Sequence, residues 1–297
     1  MKKIILSAIL FMLSQGIFAQ AKSSKYALPY FSFTRYSNTF QKDIAVTGGL
    51  YGYYGYGLKH SFESDLSYTA IHFDNLSQMI NGQHFNSPAF TINQADITFI
   101  YTNYQLINLN WRAGAHAIFT DDALTNNGFI IFSGLKRYRS NYYSAAVDVY
   151  GSFYNAYSPN LKVLQVDGTF GFYFGNYFTT GSFFAETKGS YIELSDDIGF
   201  GKTQFPSVKQ SLFYYRKNFT LEAFLWTGFR VFAVTNNGFV VFNLAEKHLG
   251  ALGGSLKYAL NNKASLKLKI TQGRFKELGL DDISKSFTIA LLGGYSL

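Results

Sequence analysis

From Ile107 to Phe119 the chain alternates: Ile107, Leu109, Trp111, Ala113, Ala115, Ala117 and Phe119 share one parity, and Asn108, Asn110, Arg112, Gly114 and His116 the other. Successive strand residues point to opposite sides, so this segment is a strand with one apolar and one polar face. The pattern recurs from Phe62 to His72, where Phe62, Leu66, Tyr68 and Ala70 oppose Glu63, Asp65, Ser67 and Thr69. It recurs again around Asn261-Asn262: Leu256, Tyr258 and Leu260 lead in, Ala264, Leu266, Leu268 and Ile270 lead out, and Ser255, Lys257, Lys263, Ser265, Lys267 and Lys269 take the other side. Two alternating runs about a short Asn-rich turn make a hairpin. Apolar spacings of three and four, which a helix requires, are missing from all of them.

The connections carry a second regularity. Short ones are expected near Gly57-Leu58-Lys59, Asn103-Tyr104, Arg139-Ser140-Asn141, Gly175-Asn176, Lys217-Asn218 and Asn261-Asn262, on hairpin-turn chemistry. Between them lie longer polar stretches: Ser37 to Lys42, Asp74 to Pro88, Asp121 to Asn127, Ala156 to Asn160, Ser195 to Ser207, Thr235 to Lys247 and Phe275 to Lys285. Alternating short turns and long loops is the asymmetry of a membrane barrel. The count is about 14 strands, or about 12 if the first strand near Leu28 to Tyr36 or the region Phe239 to Leu249 fails. Many of these strands run to about 12–15 residues, whereas strands of soluble domains average about 5–6, which argues against a β-sandwich with the apolar stripe turned inward. The expected fold is therefore all-β: a closed antiparallel up-and-down transmembrane barrel, one domain spanning residues 22–297, its hydrocarbon-facing wall pairing every backbone group internally.

The first residues fit this destination. Lys2 and Lys3 precede the apolar run Ile4 to Leu13, and the small-residue site Ala19-Gln20-Ala21 follows, the pattern of a cleaved secretory signal peptide over residues 1–21. Cleavage after Ala19 and after Ala21 both stay open. That apolar run falls short of the roughly 20 residues a membrane helix needs, and no other long uncharged stretch follows. Hydrophobic residues nevertheless make up 47% of the chain and aromatic ones 19%, as a barrel wall would require. Tyr51, Tyr53, Tyr54 and Tyr56, together with Phe170, Phe172, Tyr173, Phe174, Tyr177 and Phe178, lie beside predicted short turns and are expected in an aromatic girdle. The absence of cysteine excludes disulfides and thiolate metal sites.

The last segment carries Phe287, Ile289, Leu291, Gly293, Tyr295 and Leu297 on one parity up to the final residue. It resembles the C-terminal strand that outer-membrane barrels present to their assembly machinery, although a terminal aromatic is usual there and Leu297 stands in its place. Taken whole, the chain resembles the porin-like class of bacterial outer-membrane β-barrels. That resemblance implies a Gram-negative outer-membrane location, contact with outer-membrane lipid and lipopolysaccharide, the barrel-assembly machinery as a partner during insertion, and passive diffusion of small polar or anionic solutes. It implies no cofactor.

With the apolar parity on lipid, the other parity lines the lumen. Arg112, Arg230, Lys257, Lys267 and Lys269 are then expected inside, with Glu63, Asp65, Asp96, Asp148 and Glu222. Rings of one sign bias ion passage, and the C-terminal third supplies mostly positive groups. The net charge of +8, or +6 once Lys2 and Lys3 leave with the leader, points the same way, towards anions. Equally open is an interior filled by salt bridges; a plugging segment would favour an accessory barrel partnered with an envelope or polysaccharide-export system, and although no inward-folding loop is identifiable, Asp74 to Pro88 and Ser195 to Ser207 are the candidates. His72 and Asp74, with Asp121-Asp122, loosely resemble the paired groups of omptin proteases, but their order and spacing match poorly. No histidine sits in a nucleophile motif or a metal-ligand spacing, and no catalytic or metal residue is assigned. The positive charges alternate along strands and form no nucleic-acid-binding module.

Overall fold

The computed structural model describes residues 23–297 apart from 58, 81–82, 107–108 and 243. The leader expected over residues 1–21 lies outside the described residues. Fourteen strands close into a single barrel. They are β1 (Ser23–Ser37), β2 (Lys42–Tyr56), β3 (His60–Phe73), β4 (Phe90–Leu106), β5 (Leu109–Thr120), β6 (Phe129–Arg139), β7 (Tyr143–Tyr154), β8 (Leu161–Asn176), β9 (Gly181–Leu194), β10 (Gln204–Arg216), β11 (Phe219–Arg230), β12 (Glu246–Ala259), β13 (Ala264–Glu277) and β14 (Ser284–Ser296). Each pairs antiparallel with the next in sequence, and β14 closes onto β1 through pairs such as Thr34 with Thr288. A strand of about 12 residues, rising about 3.3 Å per residue and tilted by about 40°, covers about 30 Å, the thickness of a bilayer's hydrocarbon core.

The parity read from the sequence fixes the sides. On β13 Leu266, Leu268 and Ile270 are exposed on the outer wall, while Lys267 and Lys269 are half-buried inside. On β5 Trp111 and Phe119 face out, and Arg112 and His116 face in. Leu66, Leu225 and Leu252, each 57% exposed, stand on the outside of β3, β11 and β12. In water such a surface would be an aggregation site; in hydrocarbon it is the favourable one.

Near the short-turn rim the outer face is aromatic. Phe62, Tyr101 and Trp111 form one chain of ring contacts at 5.3 and 5.9 Å, and Phe174, Phe183 and Tyr214 another at 5.2 and 4.9 Å. The expected girdle is thus present but smaller. Tyr51, Tyr53 and Tyr173 sit on the inward parity: Tyr51 donates to Glu63 at 2.5 Å, and Tyr173 packs on inward-facing Phe184 at 4.4 Å. A residue's closeness to a turn says nothing of its parity, which decides the side.

Short and long connections alternate as the sequence implied, with two corrections. Asn103-Tyr104 is not a turn. Strand β4 continues through both, past a register shift, to Leu106, and residues 107–108 lie outside the described residues. The second correction concerns the connection after β11. Val231, Phe232, Ala233 and Val234 are almost wholly buried, a short pairing joins Val234-Thr235 to Val240-Val241, and residues 231–242 enter the barrel. The Ser195–Ser207 region contributes three side chains to the same cluster, Ile198, Phe200 and, at the start of β10, Phe205. Asp74–Pro88 instead holds a hairpin of its own, Leu76–Ile80 with Gln83–Ser87.

Candidate functional site

The lumen divides into two halves of different chemistry. Under the long loops, wall residues Ile118, Ile130, Tyr154, Leu161, Ile192 and Phe205 close on the inserted segment as one apolar cluster. Phe232 lies at its centre with its ring 4.7 Å from that of Tyr154. It does so at φ 50°, a left-handed backbone that a bulky side chain adopts only when its surroundings hold it. Asn236, Asn237 and Gly238 follow at positive φ and turn the segment back. A Cβ at Gly238 would stand 2.4 Å from Phe132, so glycine lets the turn lie against the β6 wall. Opposite, Phe239 meets Tyr51 of β2 edge-on at 5.2 Å.

Three polar clamps hold this segment. At its start, Arg230 donates to Ser207 at 2.8 Å and lies over Trp226. Midway, the Gln165 amide takes both backbone groups of Val234, donating to its carbonyl at 2.7 Å and accepting from its N–H at 2.8 Å. At its end, buried Lys42 pairs with Glu246, with the Tyr36 and Phe275 rings beside the ammonium. Alongside, burial pushes the Tyr157 phenol up to about 12 in the β7–β8 loop, where it packs on Phe232.

The half towards the short turns is polar, and all ten charged residues expected to line the lumen fall on its inward parity or at its upper limit. They do not form one ring. Arg112 and Asp148 close a 2.8 Å pair, extended to the Tyr150 hydroxyl. Asp96 meets His116 at 3.1 Å and receives the Gln94 amide. Glu63 and Asp65 accept tyrosine hydroxyls, from Tyr51 at 2.5 Å and Tyr30 at 2.9 Å. Glu222 faces Lys267 at 3.5 Å, and Lys269 is the cross-strand neighbour of Ser255, which donates to Glu222 at 2.9 Å. Lys257 stands beside Lys267 in register, and Arg230 belongs to the clamp above.

Other lumen groups went unassigned in the sequence reading: Asp167 with Lys188 at 2.6 Å, Lys209 3.9 Å from Glu222, and the Lys42–Glu246 pair. Parity carried a signal for Asp167, Lys188 and Lys209, each flanked two residues away on both sides by polar groups on the same face. For Lys42 it did not, because a register shift between Lys42 and Ile44 breaks the alternation there.

In a ring of 14 strands those seven places apart stand opposite one another, so β3 and β4 face β10 and β11. Glu63, Asp65 and Asp96 on the first pair therefore look across at a wall, β9 to β13, dominated by Lys188, Lys209, Lys257, Lys267 and Lys269. The loop-mouth groups compared with a protease are otherwise engaged. Asp121 accepts from Asn93 at 2.7 Å, Asp122 accepts from Thr125 at 2.6 Å inside its own turn, and His72 and Asp74 are exposed 3.6 Å apart.

No family model and no curated protein sequence matches this chain. Among solved structures it is similar to CymD, a monoaromatic hydrocarbon channel, with a TM-score of 0.53 at 9% identity over 92% of this chain and 88% of that one. It is similar to a mutant of TodX, also a monoaromatic hydrocarbon channel, with a TM-score of 0.52 at 11% identity over 94% and 91%. A third likeness is to the Acinetobacter baumannii outer membrane protein Omp33, with a TM-score of 0.47 at 10% identity over 92% and 99%. At such identities the shared property is the barrel fold.

Proposed function

We propose that this chain is exported behind its leader into the bacterial outer membrane, where it acts as a porin-like channel for small polar solutes, anions ahead of cations, with segment 231–242 forming its narrowest passage. The observation that carries the reading is the division of charge inside the short-turn half. A wall that served only to fill the barrel would pair its ions evenly, whereas here Lys188, Lys209, Lys257, Lys267 and Lys269 outnumber Glu186 and Glu222 on β9–β13, and Glu63, Asp65 and Asp96 stand on β3–β4. Walls of opposite sign across a passage orient and filter solutes. That CymD and TodX are channels on the same fold supports the reading. The assembly machinery and lipopolysaccharide remain the partners this placement requires.

The test is single-channel recording of the refolded protein in a planar bilayer, beside a variant in which residues 232–242 are replaced by a short Gly-Ser linker. The reading requires current from the native protein and a larger unitary conductance from the variant. Current from the variant alone would make the native protein a closed accessory barrel, and silence from both would remove the channel altogether.

A further inference from the structure

On the basic wall the lysines are poorly satisfied. Charge-assisted N–H···O pairs settle at about 2.7–2.9 Å, and Lys188–Asp167 and Arg112–Asp148 do so at 2.6 and 2.8 Å. Around Glu222 the distances are 3.5 Å to Lys267 and 3.9 Å to Lys209. Lys269 reaches no carboxylate within ion-pair distance among the described residues; its ammonium lies 5.3 Å from the centre of the Phe224 ring, and that of Lys209 4.7 Å from the same ring. Three ammonium groups thus crowd around Glu222, with Glu186 a second inward carboxylate acting on Lys209. The side chains of Lys209 and Lys267 stay 27% and 34% exposed, so the unmet charge faces the lumen.

Beside this charge lies apolar surface. Phe224 lies over Gly253, where a Cβ would come within 2.8 Å of its ring, which keeps the ring flat against the wall. Phe213 and Tyr215 follow on the same face of β10 in stacked orientation, and Phe213 approaches Phe184 at 5.9 Å. Trp226 is the direct cross-strand neighbour of Lys209. Phe224 and Trp226 are buried beneath the lysines, whereas Phe213 and Tyr215 stay partly exposed to the lumen; those two rings gain by covering apolar area, and lysines short of anions gain by receiving one.

We propose that this wall is a binding subsite for aromatic monocarboxylates of the benzoate class. The carboxylate bridges Lys209, Lys267 and Lys269, and the ring lies against Phe213 and Tyr215, beside the edge of Phe224. The proposal deepens the channel reading by naming a solute class, yet binding can be measured without conduction. Glu222 competes for the same lysines and sets the affinity low, as a passage site needs if solutes are to leave as well as arrive.

The chain has two tryptophans, and Trp111 is on the lipid side, so Trp111→Phe leaves Trp226 as the sole reporter next to the site. The refolded Trp111→Phe protein is titrated with 4-nitrobenzoate, which quenches indole emission. Saturable quenching is expected, with competition by benzoate but not by acetate or 4-nitrobenzyl alcohol. Lys209→Gln with Lys269→Gln should weaken binding about tenfold or more, because bonds to charged groups are being removed; Phe224→Leu, which leaves the charges in place, should weaken it less, and Glu222→Gln should tighten it. Quenching that does not saturate, acetate competing as well as benzoate, or unchanged affinity in Phe224→Leu and Glu222→Gln overturns the subsite. The last pair decides even if the double lysine variant fails to fold. Binding without current would leave the subsite standing and end the channel reading; current without binding would do the reverse.

Discussion

Leu266 and Ile270 share the lipid-facing parity of β13 but not its depth. Leu266 follows the Asn261-Asn262 turn closely and pairs with Tyr258, whereas Ile270 lies at the middle of a strand running from Ala264 to Glu277. Arginine on the lipid face of a barrel costs about 2–4 kcal/mol at the midplane and about 0–1 near the interface. Ile270→Arg should therefore lower unfolding free energy in lipid vesicles by the larger amount and Leu266→Arg by the smaller, and equal effects would contradict the depth assigned to the two residues. The sequence alone named Leu266 as lipid-facing, which parity delivers. Depth it could not deliver, because depth depends on where the strand starts and ends.

At the scale of elements, the wall was legible and the inserted segment was not. Long strands declare themselves through a period of two, as from Leu109 to Ala117 on β5 and from Ala264 to Ile270 on β13. Val231 to Phe242 carries an apolar run that reads equally as a wall strand or as a buried plug, and periodicity cannot separate the two when both faces are covered. The signal that separates them is the turn at Asn236-Asn237-Gly238 only a few residues beyond a strand end, too soon for another membrane crossing. The Gln165 clamp makes the segment's attachment testable. In Gln165→Leu both backbone groups of Val234, which is 1% exposed, lose their partners. Leaving a buried donor and acceptor unsatisfied costs about 1–3 kcal/mol each. The segment should leave the lumen part of the time, giving a higher mean conductance, flickering between two levels, and new protease cleavage within residues 231–245. A native cleavage pattern with native conductance would mean that the apolar packing of Phe232 holds the segment unaided.

For the whole molecule the division of charge sets what the lumen prefers, and ionic strength decides how far each wall is felt. At about 0.15 M salt charges act over about 8 Å, and at about 1 M over about 3 Å. Lys267 and Lys209 stand 3.5 and 3.9 Å from Glu222, close to the shorter range, so their mutual effect outlasts that of the far wall in high salt. The opposing Glu63, Asp65 and Asp96 act on a solute from the far side of the barrel, and salt screens them sooner from anything held at the lysines. Reversal potentials in a potassium chloride gradient should accordingly show anion preference in the native protein at low and at high salt. Asp65→Asn should strengthen that preference at low salt and leave it almost unchanged at about 1 M, since only the long-range contribution has been removed. Lys267→Glu with Lys269→Glu should invert the preference at low salt and at least abolish it at high salt, because it replaces the group that a permeating ion meets directly. Cation preference in the native protein, or a double lysine variant that leaves the reversal potential where it was, would show that ions are selected elsewhere, with the clamps around segment 231–242 the next place to measure.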